Sequence, residues 1–85
     1  MKNEVEANNN FNTVVFPNPA NEVINIIADE NINNIEVLNM AGQVVSSSNN
    51  NSENVQLNVS DYAAGIYFVK VYTQNEVTTH KITVE

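Results

Sequence analysis

The chain has no cysteine and no arginine. Without cysteine, disulfide stapling, thiolate metal sites and thiol catalysis are excluded together, while the redox compartment stays open. Lys2, Lys70 and Lys81 are the whole cationic inventory against ten acidic residues, for a net charge of −7. Nucleic acid is therefore an unsuitable partner, because phosphate binding needs clustered cations. An anionic membrane surface is excluded on the same ground. No apolar run is long enough to insert across a bilayer. The stretch from Met1 to Asn12 lacks the apolar segment of a secretory signal. At 85 residues the chain holds one domain, and area scaling for that size has it burying roughly 60–65% of its unfolded surface. A 42% apolar content is enough for a single core without metal.

Asparagine is abundant instead, at 18 residues, clustered at Asn8-Asn9-Asn10, Asn33-Asn34 and Asn49-Asn50-Asn51. Asparagine tolerates left-handed backbone and closes Asx turns, so the clusters read as solvated loop tips. Between them the apolar pattern is short and of period two. Thr13 to Phe16 opens, and Val23 to Ile27 follows with Ile24, Ile26 and Ala28 inward. Ile35 and Val37 alternate with Glu36 and Leu38, and Val44-Val45 follows a turn. Val55, Leu57 and Val59 come next, then Tyr67, Val69 and Val71, and Ile82 and Val84 anchor the end. No window has sustained helical spacing with caps. About seven antiparallel strands at sandwich intervals predict an all-β, immunoglobulin-like β-sandwich of two sheets. Val37, Leu57, Tyr67, Val69 and Val71 are expected in its core. Residues 1–12 read as a flexible linker and 13–85 as the domain.

The most specific local feature is Phe16-Pro17-Asn18-Pro19-Ala20. Neither proline can donate to a ladder, and each pushes its predecessor toward extended geometry. The segment must leave the sheet or sit at an edge, where it also blunts edge pairing. Phe16 is expected to plug the end of the core and Asn18 to close an Asx turn. In Gly65-Ile66-Tyr67 the glycine marks a corner needing positive φ. The tyrosine hydroxyl is expected to reach back to an upstream backbone group, as in a tyrosine corner. Gly42, just before Val44, reads as a hairpin-turn glycine.

Catalytic chemistry has little to build on. His80 is the single histidine, and a lone histidine is more often a surface or satisfied residue than a base. Asp29-Glu30, placed in a loop after a strand, imitates a calcium loop only weakly. No serine has a base and an orienting acid near it in sequence. No catalytic residue, cofactor or metal is therefore expected, and the chain does not read as an enzyme.

The aromatic-Pro-Asn-Pro-Ala order is followed by Ile35-Glu36-Val37-Leu38-Asn39-Met40-Ala41-Gly42-Gln43-Val44-Val45. Then come Leu57-Asn58-Val59, Ala64-Gly65-Ile66-Tyr67-Phe68-Val69-Lys70-Val71 and Thr79-His80-Lys81-Ile82. Together these resemble the type A C-terminal sorting domain of the type IX secretion system of Bacteroidota, from about Val14 to Glu85. Two departures stand out: Phe16 occupies a place where the family often has tyrosine, and the chain ends on Glu85 rather than on basic residues.

The resemblance implies an immunoglobulin-like domain that directs an attached cargo protein across the outer membrane to the cell surface or the medium. It implies removal by a surface sortase as the cargo is anchored to lipopolysaccharide. Its partners would be the outer-membrane translocon, that sortase and a covalently linked upstream cargo, with the domain itself a monomer. The Pro-Asn-Pro motif falls on Pro17, Asn18 and Pro19 after Phe16. The middle motif falls on Gly42 and Val44, and the final signal on Gly65, Tyr67 and Lys81. On that reading the chain is the tail of a longer precursor and residues 1–12 lead from the cargo. The alternative is an accessory β-sandwich module that binds carbohydrate or protein beside an extracellular enzyme. Tyr62, Tyr72 and Phe11 are its only candidates for an aromatic platform.

Overall fold

The computed structural model describes residues 13–85, so the expected linker over 1–12 and Phe11 lie outside the described residues. Five strands follow in order: β1 (Thr13–Phe16), β2 (Val23–Leu38), β3 (Val44–Asn58), β4 (Gly65–Thr73) and β5 (Val77–Val84). All pair antiparallel within one sheet, ordered β1-β2-β4-β5 with β3 on the other side of β2.

The expected seven strands in two sheets are thus five strands in one curled sheet. Two pairs of apolar runs lie on single long strands: Val23 to Ile27 with Ile35 to Leu38 on β2, and Val44-Val45 with Val55 to Leu57 on β3. The polar stretches between them continue the pairing instead of looping out. Its register shifts between Ile27 and Ile32 and again between Ile32 and Asn34. Such bulges bend a strand and increase its twist. They also move the inward set of β2 from even positions (Ile24, Ile26, Ala28, Ile32) to odd ones (Ile35, Val37).

The bend brings the two halves of the sheet together around one core. β2's first half pairs with β1, and its second half pairs with β4. Val37, Tyr67, Val69, Val71, Ile82 and Val84 are buried from one half, and Ile24, Ile26 and Ala28 from the other. Leu57 is half-buried against this cluster rather than inside it. Burying one such aliphatic side chain is worth about 1.5–3 kcal/mol, which makes this strip the main source of stability.

Asn33-Asn34 and Asn49-Asn50-Asn51 lie within β2 and β3, not at loop tips. Side chains serve the bulged ribbon there. Asn31 Nδ2 donates to Asn51 Oδ1, and Asn50 Nδ2 donates to Ser48 O at 3.3 Å. Ser52 Oγ both donates to Asn54 O (3.0 Å) and accepts from Asn54 N–H (3.1 Å). Asp29-Glu30 likewise belongs to β2 instead of a loop. The Glu30 carboxylate accepts from Asn75 Nδ2 at 3.2 and 3.3 Å, tying β2 to the β4–β5 turn.

Candidate recognition site

After β1 the chain leaves the sheet at Pro17 and returns along the far edge of β5. The Phe16–Pro17 and Asn18–Pro19 peptide bonds are both cis. With no N–H on either proline, the segment pairs through a side chain. Asn18 Nδ2 donates to Lys81 O at 3.2 Å, and Asn18 Oδ1 accepts from Thr83 N–H at 2.9 Å. Ala20 continues with backbone groups, N–H to Thr83 O and O from Glu85 N–H, both at 2.8 Å. That makes a one-residue parallel bridge between Ala20 and Val84. The last four residues of β5 therefore have an occupied outer edge. Asn18 does not close the local Asx turn expected of it; its amide has the donor and acceptor that a strand edge needs. Phe16 is no core plug either. Alternation on β1 turns Val15 inward and leaves Phe16 43% exposed on the outer face.

The β2–β3 connection is built around Asn39. Its carbonyl accepts from Gly42 N–H, while its side-chain Oδ1 accepts from Ala41 N–H and Gln43 N–H at 2.9 and 3.0 Å. Gly42 has φ +84, a conformation that L side chains avoid. The register shift just before Leu38 leaves Val45 as an extra residue. Asn39 was not singled out from the sequence, although asparagine at the first position of a turn ending in glycine is the relevant signal. At the β4 corner Gly65 has φ +154 and pairs with Val84. Tyr67 is buried and donates its hydroxyl to Ala63 O at 2.7 Å, the expected corner bond. Its ring meets Tyr62 at 5.2 Å, and both line a shallow cleft with Val45, Asp61 and Ala63.

Strand register brings residues of the middle and final motifs into one row. Lys81 of β5 is the partner of Phe68, Phe68 of Leu38, and Leu38 of Val44. Asn18 holds the carbonyl of Lys81 at one end of this row, and Val44 follows the Gly42 turn at the other. Three strand spacings put Lys81 and Val44 roughly 14 Å apart along the sheet. Lys81 and Val44 are exposed, Phe68 and Leu38 half-buried, and the neighbouring Tyr67, Val69 and Val37 point into the core. The row lies on the outer face. Gly65 and Tyr67 are not part of it: both pair with inward-facing residues of β5, Val84 and Ile82.

Two ionisable side chains, His80 and Tyr72, are held by structural contacts. His80 pairs across strands with Val69, so it sits on the inner face at the rim of the core. Burial holds its pKa below the usual histidine value, and Thr78 Oγ1 lies 2.9 Å from its Nε2. Tyr72 donates its hydroxyl to Glu36 Oε1 at 2.7 Å. That bond, with burial and the carboxylate charge, raises the Tyr72 pKa.

Residues 14–85 match the family described as the secretion system C-terminal sorting domain. The chain belongs to that family. The type IX sorting-domain resemblance of its motifs is thereby borne out. No curated protein matches the sequence. Among solved structures, a segment of PorZ of Porphyromonas gingivalis shares this fold, with TM-score 0.70 and 18% identity over 86% of this chain. PorZ is described as an essential bacterial surface component of the type-IX secretion system, and the match covers 11% of its length. This chain thus spans about a tenth of that protein's length.

Proposed function

We propose that this sorting domain is the address by which an attached cargo protein crosses the outer membrane through the type IX translocon. A surface sortase then cleaves the domain as the cargo is anchored at the cell surface. The domain acts by being recognised and does no chemistry of its own. The two halves of its curled sheet stand in for the facing sheets of an immunoglobulin-like sandwich. Family membership over residues 14–85 supports this reading. The observation that carries it is the proximity of the separated motifs: register puts Lys81 and Val44 in one outer row, and Asn18 bonds the Lys81 carbonyl at the edge of that row.

The rival, a carbohydrate-binding module, needs a free aromatic platform. Tyr62 is packed on Tyr67, and Tyr72 is tied to Glu36. The decisive experiment fuses the 85-residue chain to the C-terminus of a reporter with a Sec signal, in a host with the type IX system. Export is expected in the parent and absent in a strain lacking the translocon. Equal export from both strains would sink the sorting reading.

A further inference from the structure

An outward strand face in an antiparallel sheet is normally polar. On the half of the sheet that contains β4 and β5, large apolar side chains share that face with polar ones. Below the row Lys81–Phe68–Leu38–Val44, the next outward rows are Thr79–Lys70–Glu36–Ser47 and Val77–Tyr72–Asn34–Asn49, and Ile66 lies above beside Thr83. Val44 is 53% exposed and Val77 52%. Phe68, Leu38 and Tyr72 are half-buried in the rows that hold these two valines, and Ile66 is half-buried above them. Two apolar strips, Phe68–Leu38–Val44 and Val77–Tyr72, thus flank a polar row that carries Lys70 and Glu36, and apolar area combined with a few charges is the composition of a protein-binding surface.

The charge distribution identifies the occupant. The protein carries −7 overall, yet both cations among the described residues, Lys70 and Lys81, project from this one face. Glu36 is the single carboxylate in its three rows, and it already accepts the Tyr72 hydroxyl. A second apolar outer patch, Val14, Phe16 and Ile27 on β1 and β2, carries no cation. The Pro17–Ala20 segment fills the β5 edge over Lys81 to Glu85, so that edge cannot accept an added strand.

We infer that the outer face of β5, β4, β2 and β3 is the docking surface for a partner protein whose contact patch combines apolar side chains with carboxylates. This rests on the sorting reading and names the surface through which the domain is read. Recognition is by side chains on a preformed face, with Phe68 and Leu38 supplying apolar contact and Lys70 and Lys81 fixing orientation.

The test uses the same reporter fused to the full 85-residue chain. Lys70→Glu, Lys81→Glu and Val44→Asp each change the face at a position outside the core. Gln56→Glu and Asn54→Asp each add one negative charge, the same change as Val44→Asp, on β3 beyond the bulge and away from these rows, and the double variant matches the two-unit change of a lysine reversal. Melting temperatures of the purified chains establish that each of them folds. The three face variants are expected to lower the secreted fraction at least ten-fold and the controls to leave it unchanged. Translocon-dependent export that ignores the face variants, or falls equally in the controls, overturns the docking face and leaves the sorting reading standing. Export that persists without the translocon overturns the sorting reading and the docking face with it.

Discussion

Asn18 and Thr83, 65 positions apart, are joined by a 2.9 Å bond from the Thr83 N–H to the Asn18 carboxamide oxygen. The same carboxamide donates to Lys81 O, so one side chain stands in for a strand along the open edge of β5. Asn18→Ala removes both bonds and is expected to cost about 1–2 kcal/mol in urea unfolding. Hydrogen exchange at the Thr83 amide should rise by more than the global loss of stability accounts for. Asn18→Asp keeps the acceptor for Thr83 and loses the donor, so it should fall between. An alanine variant with unchanged Thr83 exchange would show that the clasp does not protect the edge.

Tyr67 is buried, and its hydroxyl ends on the carbonyl of Ala63 at 2.7 Å. Tyr67→Phe deletes that one bond and keeps the ring against Tyr62. The expected loss is about 0.5–1.5 kcal/mol, read from the urea midpoint. Tyr67→Ala should cost several times more, because it also empties core volume. Equal losses for the two variants would mean that the hydroxyl, not the ring, carries the corner.

The core was legible because period-two alternation shows directly in the sequence. Ile24, Ile26, Val37, Val69, Val71, Ile82 and Val84 are inward as their spacing predicts. Strand number was not, because Ser and Asn runs carry turn propensity. In β2 and β3 those runs are held extended by cross-strand pairing and by side chains bonding to each other and to the bulged backbone. Local composition cannot report a partner strand. The Pro-Asn-Pro segment was legible as a departure from the sheet, but its landing place on β5 depends on a contact across 63 and 65 positions. Phe16 was misplaced for a simpler reason. Alternation from Val15 already turns it outward, and its size suggested a core role that its parity denies.

Gly42 and Gly65 test backbone conformation without a packing complication, since a Cβ at either would meet nothing within 4 Å. At Gly42, with φ +84, alanine is expected to cost about 1–2 kcal/mol. Asparagine should recover part of that, because it tolerates left-handed geometry. Gly65→Val places a β-branched residue at φ +154 and should cost about 1–3 kcal/mol. Thermal unfolding of the three variants measures this, and an alanine at position 42 that leaves the midpoint unchanged would refute the positive-φ requirement.

His80 makes stability depend on pH in a definite direction. It shares an inward row with Val69 and Val37, and burial there favours the neutral ring, so its folded pKa lies below the unfolded value of about 6.5. The unfolded chain then binds more protons than the folded one as pH drops through that window. The stabilising contribution is complete above the unfolded pKa and is lost as pH falls toward and through the folded one. His80→Gln carries no titrating ring, while every carboxylate is common to both proteins, so the difference between their profiles isolates this histidine. Unfolding free energies measured from about pH 7.5 to about pH 5 should therefore show the wild type losing more stability than His80→Gln on acidification. Parallel profiles would mean that the folded ring titrates as it does in the unfolded chain, and that its place at the core rim is not desolvating.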